Sequence, residues 1–191
     1  MHKHSLLAAA AVATFALMSA AASSPVTAKE KTVSVGGAPM YPSKNIVQNA
    51  MNSKDHTTLV AAVKAAGLVK TLEGPGPFTV FAPTNAAFKK LPDGTVANLL
   101  MPENKDKLTS VLTYHVVPGR LSAAKLMKDI KAGGGKAELK TVEGETLTVK
   151  QVGPGHLELV DQKGDVARIT IANVMQSNGV IHVIDTVLLP G

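Results

Sequence analysis

At Gly133-Gly134-Gly135 the spacing of apolar residues changes from helical to alternating, and it does so once, two-thirds of the way along the chain. Before that point Ile46, Val47, Ala50 and Met51, then Leu59, Val60 and Val63, then Leu108, Val111 and Leu112 recur at intervals of three and four, the mark of amphipathic helices. After it, Leu147 and Val149, Leu157 and Leu159, and Val166, Ile169 and Ile171 recur more nearly every second residue, between turns at Gly153-Pro154-Gly155 and Lys163-Gly164-Asp165. A chain patterned this way cannot build a regular parallel βαβ array, and the expectation is an α+β fold whose strands form a small sandwich.

The punctuation refines the plan. Gly74-Pro75-Gly76-Pro77 breaks the helical region, and Phe78-Thr79-Val80-Phe81 behind it predicts one strand set among the helices. Thr84 and Ser122 are placed to cap helices, Asp55 or Thr57 to cap the helix that ends near Gly67. Asn178-Gly179 predicts a tight hairpin between the last two apolar runs. Residues 29–43 mix Lys, Gly, Pro and Ser without a period and read as an extended lead-in, so the folded body is expected from about Lys44.

Lys3 followed by the apolar and small residues from Leu6 to Ala22 reads as a secretory signal peptide over residues 1–28, cleaved after Ala28, with Ala22 as the alternative. The composition contains no cysteine, so neither disulfides nor a lipid-modified cysteine can hold or anchor the exported chain. The expectation is a monomer without a transmembrane segment after cleavage, located in a periplasm or outside the cell. Formal net charge is +6, one unit of which leaves with Lys3. The lysines are scattered, only Arg120 and Arg168 are arginines, and no aromatic side chains are interleaved to stack bases, so nucleic acid is not an expected partner. Anionic glycans or envelope surfaces suit a mildly basic surface better.

Three segments in order resemble the fasciclin domain: Thr79-Val80-Phe81-Ala82-Pro83-Thr84-Asn85-Ala86-Ala87-Phe88, Tyr114-His115-Val116-Val117-Pro118-Gly119, and Asn173-Val174 through Asn178-Gly179-Val180-Ile181-His182-Val183-Ile184-Asp185. They match the first homology box, the central Tyr-His segment and the second box of that family, and the resemblance spans residues 44–190. It implies a wedge-shaped β-sandwich with helices concentrated in the N-terminal half, in a secreted or surface-attached protein that mediates adhesion to a cell-surface or extracellular-matrix protein or glycan. It also associates Tyr114 and His115 with partner recognition. The competing reading of His115 is a buried imidazole bonded to backbone.

The remaining candidates are thin. His182 alternates with Ile181 and Val183 and is expected to face away from them, partly exposed or against the sheet. His56 and His156 lie beside a cap and in a turn, and no two histidines are spaced to prearrange a metal, so no metal or cofactor is expected. Asp161, Asp165 and Asp185 fall at turns or strand ends and read as solvated. There is no Gly-x-Ser-x-Gly elbow, and Gly133-Gly134-Gly135-Lys136 lacks the ending of a phosphate loop. The leading expectation is a noncatalytic binding module. A periplasmic carrier of a small apolar ligand is the alternative, and a hydrolase comes last.

Overall fold

A computed structural model describes residues 31–191; the signal peptide expected over residues 1–28 lies outside the described residues. The described residues begin with a hairpin of β1 (Val33–Val35) and β2 (Ala38–Met40). Three helices follow: α1 (Ile46–Ala50), α2 (Thr57–Ala66) and α3 (Val69–Leu72). Strand β3 (Phe78–Pro83) precedes α4 (Asn85–Lys89), α5 (Thr95–Leu99) and α6 (Lys105–Tyr114). Then come β4 (Val116–Pro118) and α7 (Ala123–Ala132). The chain finishes with β5 (Lys136–Lys140), β6 (Thr146–Gln151), β7 (Leu157–Val160), β8 (Val166–Gln176) and β9 (Gly179–Ile184).

Seven strands form one sheet in the order β4-β3-β9-β8-β7-β6-β5. The sheet curls until its two edges nearly meet, with Val142 N–H donating to the Val116 carbonyl at 2.8 Å across the gap. Strands β5 to β9 pair antiparallel, as alternation predicts. Strand β3 pairs with β9 in parallel, a long-range match that no local pattern announces.

This topology makes β3 and β9 two-faced. Val80, Ala82, Ile181 and Val183 point into a core shared with α1, α2, α4 and α6, beside Ile46, Leu59, Phe88 and Leu108. Phe81 and Ile184 point into a second core inside the curl, with Tyr114, Leu126, Leu147 and Leu159. A strand covered on both faces has no solvent side, which is why every residue of β9 is buried.

Three sequence expectations need correction. The segment 29–43 is not merely a lead-in, because Val35 and Met40 are 4% and 3% exposed and belong to the helical-side core. Its strands are too short to display a period, and Gly36-Gly37 supplies the turn with both residues at positive φ. The cap of α2 comes from neither Asp55 nor Thr57: Asn85 Oδ1 accepts from Thr58 N–H at 3.0 Å. The last hairpin turns through Ser177 and Asn178, since Gln176 pairs directly with Gly179. Gly179 is required instead by close approach, as a Cβ there would sit 2.0 Å from the Phe78 carbonyl oxygen.

Candidate functional site

The residues singled out by the sequence converge on the junction of β3, β9, α6 and the C-terminal segment, and they do so from the inside. Tyr114 ends α6 with its ring in the curl core at 0% exposure, and its hydroxyl donates to the Thr146 carbonyl at 3.1 Å. Burial, and then the charge of Asp161, push its pKa up to about 12, so the phenol stays neutral.

His115 is 3% exposed. Leu188 N–H donates to its Nε2 at 3.0 Å, so the ring proton sits on Nδ1, which donates to the Val111 carbonyl at 2.7 Å. Desolvation lowers its pKa to about 4 against the opposing effects of the Val111 carbonyl and the Asp161 charge. The pair therefore ties α6 to β6 and to the C-terminal segment. Both rings are buried, and His115 takes the buried, backbone-bonded position that its competing reading describes.

Of the two positions expected for His182, partly exposed or against the sheet, the first does not occur: the ring is 0% exposed. Alternation does turn it away from Ile181 and Val183, but into the curl, where it stacks on Phe81 with ring centroids 5.7 Å apart. Its Nε2 donates to the Leu121 carbonyl at 2.7 Å and its Nδ1 accepts from Asn173 N–H at 3.4 Å. Asn173 has φ of 58°, at an irregularity of β8, and its Oδ1 accepts from Ala123 N–H at the start of α7. A left-handed asparagine is thus used to aim one amide at His182 and a side chain at a helix terminus.

Asp161 is not solvated either: its Oδ1 accepts from Lys163 and Asp165 N–H and its Oδ2 from Leu189 N–H, each at 2.9 Å. Asp185 Oδ1 accepts from Arg168 N–H at 2.9 Å, and these hydrogen bonds with the nearby Lys90 charge hold its pKa below the usual value despite partial burial. Asn178, expected only as a hairpin residue, and Thr79, expected only as part of a strand, work the same way. Asn178 Oδ1 accepts from Ile46 N–H at 3.0 Å while its Nδ2 donates to the Leu72 and Gly74 carbonyls. Thr79 Oγ1 donates to the Gly119 carbonyl and accepts from Leu121 N–H.

Each of these side chains satisfies backbone groups distant in sequence. A match to a family model gives this pattern its name: residues 54–190 fit the fasciclin domain. The chain belongs to the fasciclin family. It is 48% identical over 163 residues to protein sll1483 of Synechocystis, covering 84% of this chain and 82% of that one. It is 38% identical to the immunogenic protein MPB70 of Mycobacterium bovis, covering 74% of this chain and 66% of that one. It is 39% identical to the transforming growth factor-beta-induced protein ig-h3 of Sus scrofa, covering 69% of this chain and 17% of that one. Among solved structures, a FAS1 domain pair from the insect cell adhesion molecule fasciclin I superimposes with a TM-score of 0.70 at 18% identity, covering 84% of this chain and 58% of that one.

Among the described residues a serine hydroxyl meets a histidine ring where Ser53 Oγ lies 2.8 Å from His56 Nδ1. Both residues are buried under the β1–β2 hairpin, and His56 Nε2 is left without a partner of good geometry. Burial lowers the His56 pKa, against the pull of the Ala82 carbonyl and the Asp55 charge. Among the described residues no three His, Asp or Glu side chains are grouped to hold a metal, and no helix is long and apolar enough to cross a membrane.

Proposed function

We propose that this fasciclin-domain protein is an exported, noncatalytic binding module that attaches to a cell-surface or extracellular-matrix protein or glycan. The observation that carries this reading is that the family signature is consumed by the fold. Tyr114, His115, Asn178 and His182 are all buried with their polar atoms engaged, which leaves the outer surface for recognition. Adhesion is named for one structural relative, the fasciclin I pair, and a Mycobacterium bovis relative 35% identical over 146 residues is a cell surface glycolipoprotein.

The carrier reading has less support. Three apolar voids among the helices and the sheet hold only about 30 to 40 Å³ each, room for a water rather than an organic ligand, and the roomier cleft beside α6 is lined by Asp106, Lys107, Ser110 and Lys163 and is not an apolar pocket. The hydrolase reading would need the Ser53–His56 pair to be reachable, and both are nine-tenths or more buried.

Binding of the purified protein to isolated envelope fractions and to whole cells tests the proposal. Saturable attachment is expected, and a protein that stays in solution at every concentration would refute it.

A further inference from the structure

On the outer face of the sheet, near the Gly153-Pro154-Gly155 turn, lies an open cleft of about 520 Å³, within the size range of ligand sites. Glu158 on β7 and Arg168 on β8 line it and lie opposite one another, and Lys150 on β6 lies opposite Glu158 on the other side, outside the lining. Glu158 is the fixed centre: its side chain is 9% exposed, Oε1 lies 3.0 Å from Arg168 Nε and Oε2 lies 3.6 Å from Lys150 Nζ.

Two cations around one carboxylate leave one positive charge uncompensated. That surplus resides on a group built to use it. Arg168 hydrogen-bonds Glu158 through Nε; its two Nη amino groups make no side-chain hydrogen bond among the described residues, and its side chain is 72% exposed. Its backbone is clamped, because Arg168 N–H donates to Asp185 Oδ1 at 2.9 Å and its carbonyl accepts from Asp185 N–H at 3.2 Å. A guanidinium held in place with a free pair of N–H donors is the geometry that takes a carboxylate bidentately.

The rest of the cleft is not what a bare anion needs. Val152, 43% exposed, and Ile169 offer aliphatic surface, and the Thr170 hydroxyl, which donates to the Val183 carbonyl at 3.2 Å, keeps its acceptor capacity. His156 lines the same cleft. Carboxylate recognition, a hydroxyl acceptor and an aliphatic wall together describe a sugar acid. We propose that this cleft binds a uronic-acid unit of an anionic polysaccharide, its carboxylate on the Arg168 Nη groups, its hydroxyls toward Thr170 and Glu158, and its C–H face against Val152. This rests on the adhesion reading and gives it a ligand class.

The test is calorimetric titration of the purified protein with trigalacturonic acid and with its methyl ester, which keeps the hydroxyls and removes the charge. The acid should bind at least tenfold more tightly than the ester. Arg168→Gln should weaken acid binding at least tenfold, and Arg168→Lys, which keeps the charge and the pairing of Glu158 but not the fork, should still lose most of it. Lys70→Gln, an equal change of net charge on α3, should leave it unchanged.

Equal losses in Arg168→Gln and Lys70→Gln would reduce the site to diffuse charge and overturn the proposal. So would the absence of saturable binding, or equally tight binding of an acetylated peptide with a free C-terminal carboxylate. Attachment to envelope fractions, measured in parallel, separates the two ideas. If the wild-type protein attaches and Arg168→Gln attaches equally well, the cleft proposal falls and the adhesion reading stands; if the wild type does not attach, the adhesion reading falls.

Discussion

His115 shows how one side chain can look like a contact residue in sequence and act as a strut in the fold. Its two ring nitrogens satisfy Val111 and Leu188, groups separated by most of the domain. Substituting Ala leaves the Leu188 amide unpaired in a buried site and opens a cavity, so His115→Ala should cost about 3 kcal/mol in urea unfolding. Tyr114→Phe removes only the hydroxyl bonded to Thr146, and a loss of about 1 kcal/mol is expected. A histidine between a helix and a strand can be read as a buried, backbone-bonded ring, but the groups it meets are decided by the curl of a sheet whose strands come later in the chain. His182 illustrates the complementary case: alternation gives its direction correctly, yet the face it turns to is closed by Phe81 and by Asn173 on β8.

Elements were legible where they are long and periodic, and where a cap is local. Thr84 and Ser122 accept from Ala87 and Lys125 N–H, as their positions before α4 and α7 predict. The cap of α2 was not legible, since it is supplied by Asn85 from another helix. Asn85 also donates to the Lys54 carbonyl at 2.9 Å, so Asn85→Ala should destabilise the protein by about 1 to 2 kcal/mol and weaken hydrogen-exchange protection in the first turn of α2. The parallel pairing of β3 and β9 was equally silent, because its register depends on Gly179 meeting Phe78 across about a hundred residues. A methyl group there collides with backbone rather than with a flexible side chain. Gly179→Ala is accordingly expected to cost ~3 kcal/mol, read as a lowered denaturation midpoint with an unchanged slope.

For the molecule as a whole, the buried histidines couple folding to pH. His56, His115 and His182 all have pKa values lowered by burial, so the unfolded chain binds protons that the folded chain refuses. Their contribution is complete above the ordinary histidine value of about 6.5 and is lost as pH falls below it. For His115, whose folded value is about 4, the loss amounts to roughly 3 kcal/mol once pH has fallen through that value. Urea unfolding at pH 7, 6 and 5 should show stability declining with a slope of more than one proton, and a flat profile would show that these rings are hydrated. The α+β plan and the family were readable from period and motif alone. Which signature residues face outward was not, since that depends on both faces of β3 and β9 being covered.

The signature residues build the fold, and on the adhesion reading the outer surface does the binding. Attachment to envelope fractions per folded molecule, measured for wild type, Tyr114→Phe and His115→Ala at a temperature where each is folded, tests this most directly. Lower stability and undiminished attachment are expected for both variants. A Tyr114→Phe protein that keeps its stability and loses its attachment would contradict this.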